Sequence, residues 1–223
     1  CSVDTTTNDA LASYPLGDTT VTWTVTDGSG NTAQATQTVT VVDNIDPTIT
    51  APAAVTVNVD AGTCEAIGVA LGNAIVSDNC DDDLVATNNA PLSFPLGDTT
   101  VTWTVTDDNS NTVTATQIVT VEDDIVPDFS FVPLDLTVEC DVDTTDTANT
   151  GGSATATDNC DNNVEITYTD STVNGIGNNS VITREWTATD DSGNVSTEDQ
   201  VITVEDTTAP TITAPAAVTV NVD

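Results

Sequence analysis

The stretch "VTVEDDIVP", residues 119 to 127, sets three carboxylates side by side. Acidic residues recur in this way at three kinds of place. After apparent strand ends stand Asp43 and Asp46, then Glu122, Asp123 and Asp124, then Glu205 and Asp206. Around an Asp-Asn-Cys motif stand Asp78 with Asp81, Asp82 and Asp83, and later Asp158 with Asp161. In a Gly/Asn-rich turn stand Asp107 and Asp108, then Asp190 and Asp191. Carboxylates gathered like this support two chemistries: oxygen coordination of a hard cation, or paired acid and base in glycoside hydrolysis. The chain carries 36 Asp plus Glu against one basic residue, Arg184, for a formal net charge of −35. Charges closer together than the screening length of about 8 Å repel each other, and the sequence holds almost nothing to neutralise them.

The absences narrow the chemistry further. A polyanionic chain is repelled by nucleic acid and by anionic lipid. With no histidine there is no Ser-His-Asp or Cys-His catalysis and no ordinary zinc site. With no lysine there is no Schiff base and no phosphate-gripping loop, and no lysine–asparagine isopeptide staple. No run of about 18 apolar residues exists to insert into a membrane. High charge with few aromatics is a common composition of disordered chains, but here 38% of residues are hydrophobic and they are regularly patterned. The chain opens mid-pattern at Cys1, so the lack of a signal peptide says little.

The elements that must position these carboxylates form a repeat. "PLGDTTVTWTVTD" occurs at 15 to 27 and again at 95 to 107, and a looser copy, "REWTATD", ends at Asp190. Trp23, Trp103 and Trp186 mark the register, 80 and then 83 positions apart, and Asp43, Asp123 and Asp206 follow it. "PTITAPAAVTVNVD" stands at both 47 to 60 and 210 to 223. The expected organisation is the second half of a repeat at 1–45, complete repeats at 46–125 and 126–207, and the first strands of a further repeat at 208–223. A window cut from a longer repetitive chain accounts for this. Strand exchange, in which 210–223 completes the 1–45 half of another copy, is the alternative, although the two pieces together lack any counterpart of 61–79.

Each repeat reads as all-β. In "TTVTWTVTD", Val101, Trp103 and Val105 alternate with Thr102 and Thr104, the period of a strand with one buried face. Threonine on the other face is β-branched and polar, so it favours strand without a sticky surface. No stretch has sustained helical spacing. Short strands punctuated by Pro, Gly and Asn predict tandem immunoglobulin-like antiparallel β-sandwich domains, with one Trp per repeat as core anchor. The turns "TDGSGN", "TDDNSN" and "TDDSGN" place Asp where its side chain turns the chain, and Gly-Asn where a hairpin wants positive φ. That explains Asp27, Asp107 and Asp190 without any ligand.

Five cysteines are present. Cys64 precedes Cys80 by 16 residues and Cys140 precedes Cys160 by 20, while Cys1 aligns with Cys80. The economical expectation is two intradomain disulfides, Cys64–Cys80 and Cys140–Cys160, with Cys1 left over. Disulfides imply an oxidising, extracellular setting. No CxxC spacing favours metal ligation by sulfur.

These residues resemble the hyalin repeat (HYR), an immunoglobulin-like module of extracellular adhesion proteins, and its relatives in large bacterial surface proteins. The resemblance rests on "DPTITAP", on "C…SDNC", on "FPLGDTTVTWTVTDDNSN" and on the closing "VTVED". It covers essentially the whole chain. The third repeat departs from the pattern, lacking "FPLG" and placing its first cysteine earlier, in "TVEC". The resemblance implies an extracellular adhesive or structural role rather than catalysis.

In such a sandwich the hairpin before the last strand lies at the end where the chain enters, and an Asp-Asn-Cys loop before the third strand would lie there too. The linker would then meet both at each junction. That reading gathers Asp43, Asp46, Asp78, Asp81, Asp107, Asp123, Asp124, Asp158, Asp161, Asp190 and Asp206 as candidate Ca2+ ligands. Calcium takes six to eight oxygens in adaptable geometry, whereas magnesium keeps its water and demands an octahedron. A solvated acidic surface, or adaptation to high salt, is the competing explanation. Asp123 stands at the one linker position that is Asp in all three copies, which singles it out.

The sequence therefore reads as a structural or adhesive segment of an extracellular bacterial surface protein or filament, stiffened by calcium at its joints and by disulfides. Its expected partners are neighbouring repeats of the same chain, identical chains in a filament, and glycans or host and cell surfaces. The alternative is a carbohydrate-binding surface module, which the scarcity of aromatic residues and the buried parity of the Trp positions disfavour. Asn178 and Asn194 begin Asn-x-Ser sequons open to glycosylation.

Overall fold

The computed structural model describes residues 3–220. Cys1 therefore lies outside the described residues, as do positions 221 to 223. The chain divides into two compact units, Cys1–Val57 with Ile67–Val121, and Asn58–Ala66 with Glu122–Asp223.

In the first unit, β1 (Val3–Asn8), β2 (Gly17–Asp27) and β3 (Thr32–Val41) form an antiparallel sheet in that order. Next come β4 (Thr48–Thr50), β5 (Val55–Asn58), β6 (Glu65–Ile67, most of which belongs to the second unit), β7 (Ile75–Ser77), β8 (Thr87–Asn88), β9 (Ser93–Pro95), β10 (Gly97–Thr106) and β11 (Thr112–Glu122). The main sheet runs β5-β11-β10-β8, and β4 pairs with β7 in a separate ladder. The alternation acts as expected: Val101, Trp103 and Val105 are buried, as are Val119 and Val121 on the paired strand β11. Each such valine contributes on the order of 1.5–3 kcal/mol by leaving water.

The second unit repeats the plan. It contains β12 (Asp128–Phe131), β13 (Leu136–Glu139), a short 3-10 turn at Thr147–Thr150, β14 (Thr155–Thr157), β15 (Glu165–Asn174), β16 (Ser180–Thr189) and β17 (Val195–Glu205). The order β13-β17-β16-β15 makes the larger sheet, and β12-β14 the smaller. The fold is thus all-β and of tandem immunoglobulin-like β-sandwich type. One detail departs from a purely antiparallel reading. β13 runs parallel to β17, Leu136 opposite Ile202 and Glu139 opposite Glu205. The long chain between them supplies the crossover a parallel pair needs. Ile182, Ile202 and Val204 are buried together there, with Leu136 and Val138 packed on them.

One buried glutamine locks each core in a way the hydrophobic pattern does not announce. Gln117 Nε2 donates to the carbonyls of Ala53 (2.8 Å) and Leu71 (3.0 Å), while its Oε1 accepts from Trp103 Nε1 at 3.0 Å. Gln200, at the same register position, donates to Leu134 (3.1 Å) and Thr150 (2.7 Å). A buried amide that bridges two loop carbonyls satisfies groups that would otherwise cost about 1–3 kcal/mol each. Where the second repeat has Val101, the third has Arg184, wholly buried. Its guanidinium pairs with Asp170 at 2.8 Å, bonds Thr150 Oγ1 and the Thr144 carbonyl, and lies 4.0 Å from the centre of the Tyr168 ring.

Trp23 corrects the expectation of one core anchor per repeat. Trp103 and Trp186 are buried, but Trp23 is 39% exposed, because no second layer covers the β1-β2-β3 sheet among the described residues. Residues 206–220 form no strand, although their sequence matches that of β4 and β5. Isolated strands are not stable without pairing.

Candidate joint clusters

Acidic residues stand on three kinds of segment, and local turns place each carboxylate. In the linker, Asp43 Oδ1 accepts from Ile45 N (3.1 Å), Asp123 Oδ1 from Ile125 N (3.2 Å) and Asp206 Oδ1 from Thr208 N (3.1 Å). This Asx turn ends each long strand by giving the departing backbone a side-chain acceptor. In the Asp-Asn-Cys loop, Asp78 Oδ2 accepts from Cys80 N at 2.7 Å and Asp158 Oδ1 from Cys160 N at 2.8 Å. In the hairpin, Asp107 and Asp190 each take Asn111 or Asn194 through both backbone and side-chain nitrogens. The loops close on residues of positive φ, Gly30, Ser110 and Gly193. Burial pushes the Asp107 carboxyl up, but the bonds from Asn111, Asn109 and Ser110 outweigh it and hold it below its ordinary value.

The second unit brings one group from each segment together. A carboxylate oxygen of Asp123, of Asp158 and of Asp190 lie within 4.8 Å of one another. Asp123 Oδ2 and Asp158 Oδ2 are buried with no hydrogen-bond donor, and so is Asn159 Oδ1 beside them. Asn194 Nδ2 ties the cluster together, donating to the Asp123 carbonyl at 3.1 Å and to Asp190 Oδ2 at 2.9 Å. The sole basic side chain, Arg184, is committed to Asp170. Buried carboxylate oxygens without donors are costly unless a cation or proton meets them. The donor set is all oxygen, which fits a hard divalent cation.

In the first unit the grouping is Asp43, Asp78 and Cys80, and Asp107 is not part of it. Asp78 Oδ1 is again buried without a donor. Burial, then the charge of Asp43 and an Asp43 hydrogen bond, push the Cys80 thiol up from its ordinary value.

The remaining expected ligands serve other partners. Asp81 Oδ1 turns its own loop by accepting from Asp83 N. Asp161 accepts from Asn163 N at 2.7 Å and from Asp191 N at 3.1 Å. Asp124 accepts from Asn58 Nδ2. Asp46 and Asp206 are exposed.

The disulfide expectation is overturned. Cys64 bonds Cys160 across 96 residues, with Cα atoms 4.9 Å apart, and Cys80 and Cys140 are free and exposed. The reason lies in where residues 58–66 run. Val59 N donates to Glu122 O at 2.9 Å, so this segment follows the linker, and Asn159 Nδ2 donates to Thr63 O at 2.7 Å. Cys64 is thereby delivered to the next Asp-Asn-Cys loop. Sequence reasoning also missed Asn159, Asn194, Gln117 and Gln200; the recurrence of Asn after each Asp of the loop and four residues after each hairpin Asp was the available signal.

Fold and clusters together define tandem β-sandwich units with acidic joints, and comparison with known proteins shows what they are similar to. Residues 1–41 match the HYR domain model, a hyalin-repeat-like domain. It is 34% identical over 219 residues to hyalin of Strongylocentrotus purpuratus, covering 94% of this chain and 18% of that protein. To hyalin of Lytechinus variegatus it is 32% identical over 184 residues, covering 80% of this chain and 31% of that one. The chain thus spans a third or less of the curated relatives it matches. Among solved structures, the extracellular domain of protocadherin GammaB4 aligns over 84% of this chain and 38% of its own, at a TM-score of 0.39 and 12% identity; that likeness is too loose to inform the site. A Cys64–Cys160 disulfide fits an oxidising, extracellular setting.

Proposed function

We propose that this chain is a structural and adhesive segment of an extracellular surface protein or filament, with a calcium ion held at the Asp123–Asp158–Asp190 cluster. A single observation carries the cation: three carboxylates from three separate segments converge, and two of their oxygens are buried without donors. Linker, loop and hairpin are already joined by the bonds of Asn194 Nδ2 to the Asp123 carbonyl and of Asp191 N to Asp161 Oδ2, and a shared ion would fix their mutual placement further. Asp43 and Asp78 offer a second, weaker position, because the group beside them is a thiol rather than an oxygen. The role is non-catalytic: the carboxylates are engaged in turns, and no histidine or lysine exists to join them. The bacterial source stays part of this proposal and rests on the motif resemblance alone. Neighbouring repeats, or copies in a filament, are the partners such a rod implies. Glycan binding is less favoured, since Trp103 and Trp186 are buried and unavailable for stacking on sugars.

Thermal unfolding with and without chelator tests the ion. At a calcium concentration 100 times the dissociation constant, stabilisation is about 2.7 kcal/mol, a shift in Tm on the order of 5–10 °C for a unit of this size. An unchanged Tm across saturating calcium and excess chelator would remove the ion from the account.

A further inference from the structure

The Cys64–Cys160 bond does not close a repeat on itself. Cys64 follows β5 in the repeat that begins near residue 46, and Cys160 sits in the Asp-Asn-Cys loop of the following repeat. Cys160 is held there in a defined way. Asp158 accepts its backbone N–H at 2.8 Å, and Asn159 Nδ2 donates to its Sγ at 3.2 Å. Cys80 is presented identically, with Asp78 accepting its N–H at 2.7 Å and Asn79 Nδ2 reaching its Sγ at 2.8 Å. Yet Cys80 is free and exposed. Cys140 is the complementary case. It follows β13, the counterpart of β5, directly where Cys64 follows after a turn, and it too is free and exposed.

We propose that Cys64–Cys160 is one rung of a repeating covalent clasp. In each rung the thiol that follows the second strand of one repeat bonds the Asp-Asn-Cys thiol of the next. Cys80 and Cys140 are then the two half-rungs offered to adjoining repeats, Cys80 to a thiol of the Cys64 kind and Cys140 to a thiol of the Cys160 kind. The formed bond shows that this pairing is sterically met at one joint, and the matched seating of Cys80 shows the same half prepared at another. Each rung forms by exchange with an external disulfide. The two protein thiols are oxidised, one S–S bond forms between them, and the external disulfide is reduced to two thiols, taking the two protons and two electrons. An oxidising exterior supplies that reagent. The rungs run in one direction along the chain, so an array so joined is covalently continuous through its joints as well as through its backbone. This inference does not depend on the cation.

The test is disulfide mapping by mass spectrometry of the protein as isolated from its own surface, with thiols blocked by N-ethylmaleimide before digestion without reductant. The expected peptides join Cys64 to Cys160, Cys80 to a cysteine following the second strand of an adjoining repeat, and Cys140 to an Asp-Asn-Cys cysteine. The mass of the intact protein under denaturing, non-reducing conditions tells whether the adjoining repeat belongs to the same chain or to a second copy. Peptides joining Cys64 to Cys80 or Cys140 to Cys160 would overturn the proposal, as would recovery of Cys80 and Cys140 as alkylated thiols. On the 223-residue chain, Cys64→Ser should add Cys160 to the alkylated set, and Cys80→Ser should leave Cys160 protected. Alkylation of Cys64 in the Cys80→Ser chain would contradict the pairing rule.

Discussion

At the Asp123 cluster, linker, Asp-Asn-Cys loop and hairpin each contribute one carboxylate. At the Asp43 cluster, linker and loop contribute theirs, but the third member is the thiol of Cys80, and Asp107 stays outside. The turns that aim the carboxylates are the same in both. The difference lies in the cysteine. Cys160 is drawn into its bond with Cys64, and Asp190 takes the third place. Cys80 is unbonded, and its sulfur remains beside the two acids. A hard cation prefers three oxygens to two oxygens and a neutral thiol. The comparison therefore links the state of the cysteine to the kind of ligand set the joint presents.

The largest effect expected from this comparison concerns the clasp. A closed loop of 96 residues constrains the unfolded chain by about 4.7 kcal/mol. Cys64→Ser should lower stability in denaturant titration by up to that amount, whereas Cys80→Ser, at an exposed thiol, should stay within about 0.5 kcal/mol. Equal effects from both would erase the distinction between the joints.

The cores carry the same contrast between repeats. Arg184→Met removes a buried cation and leaves Asp170 without its partner, and should cost about 3 kcal/mol. The matching position, Val101, tolerates Val101→Ile at about 1–3 kcal/mol of overpacking. Chemical denaturation followed by Trp fluorescence reads both.

Next comes the cation. Asp123→Asn keeps an acceptor for Ile125 N but removes the carboxylate charge and puts an amide donor where the unpartnered Oδ2 stood. It should abolish most of the roughly 2.7 kcal/mol of calcium stabilisation expected at 100 times the dissociation constant. Asp43→Asn should leave that stabilisation in place.

The smallest effect is on pH dependence. The Asn31 side chain, then its backbone N–H and that of Ser29, hold the Asp27 carboxyl below its ordinary value. A carboxyl lowered in the folded state stabilises above its unfolded pKa, and that contribution is lost as pH falls through the folded value. Asn31→Ala should therefore raise the Asp27 pKa toward the ordinary carboxylate range in a carboxyl NMR titration and weaken the acid side of the stability profile. An unmoved titration would mean that the hairpin bonds are not what lowers it.

Much of the fold was legible because its signals are local. Period-two alternation in Val101, Trp103 and Val105 marks a strand with a buried face, and it is found so. The hairpin was legible from its Asp and Gly/Asn turn residues, while the bond from Asn to Asp four residues back was not read. Placing those hairpins on a sandwich led to the expectation that linker, loop and hairpin meet at each joint; carboxylates of all three are grouped at Asp123, whereas Asp107 stays outside the Asp43 grouping. The rest was hidden by distance along the chain. Cys64 has a nearer cysteine in sequence, but residues 58–66 leave with the linker, and only the three-dimensional path reveals the partner 96 residues on. Gln117 and Gln200 share the buried face with Val119 and Ile202, and why a polar side chain stands there shows only in their two-carbonyl bridges. Trp23 has the same neighbours in sequence as Trp103, so its exposure is a matter of what covers the sheet.

The most direct measurement is calcium binding by isothermal titration calorimetry on the oxidised chain, side by side with Asp123→Asn and Asp43→Asn. Binding that survives Asp43→Asn and disappears with Asp123→Asn places the ion at Asp123, Asp158 and Asp190. No heat of binding in the unsubstituted chain, or a titration that Asp123→Asn leaves unchanged, would contradict the account.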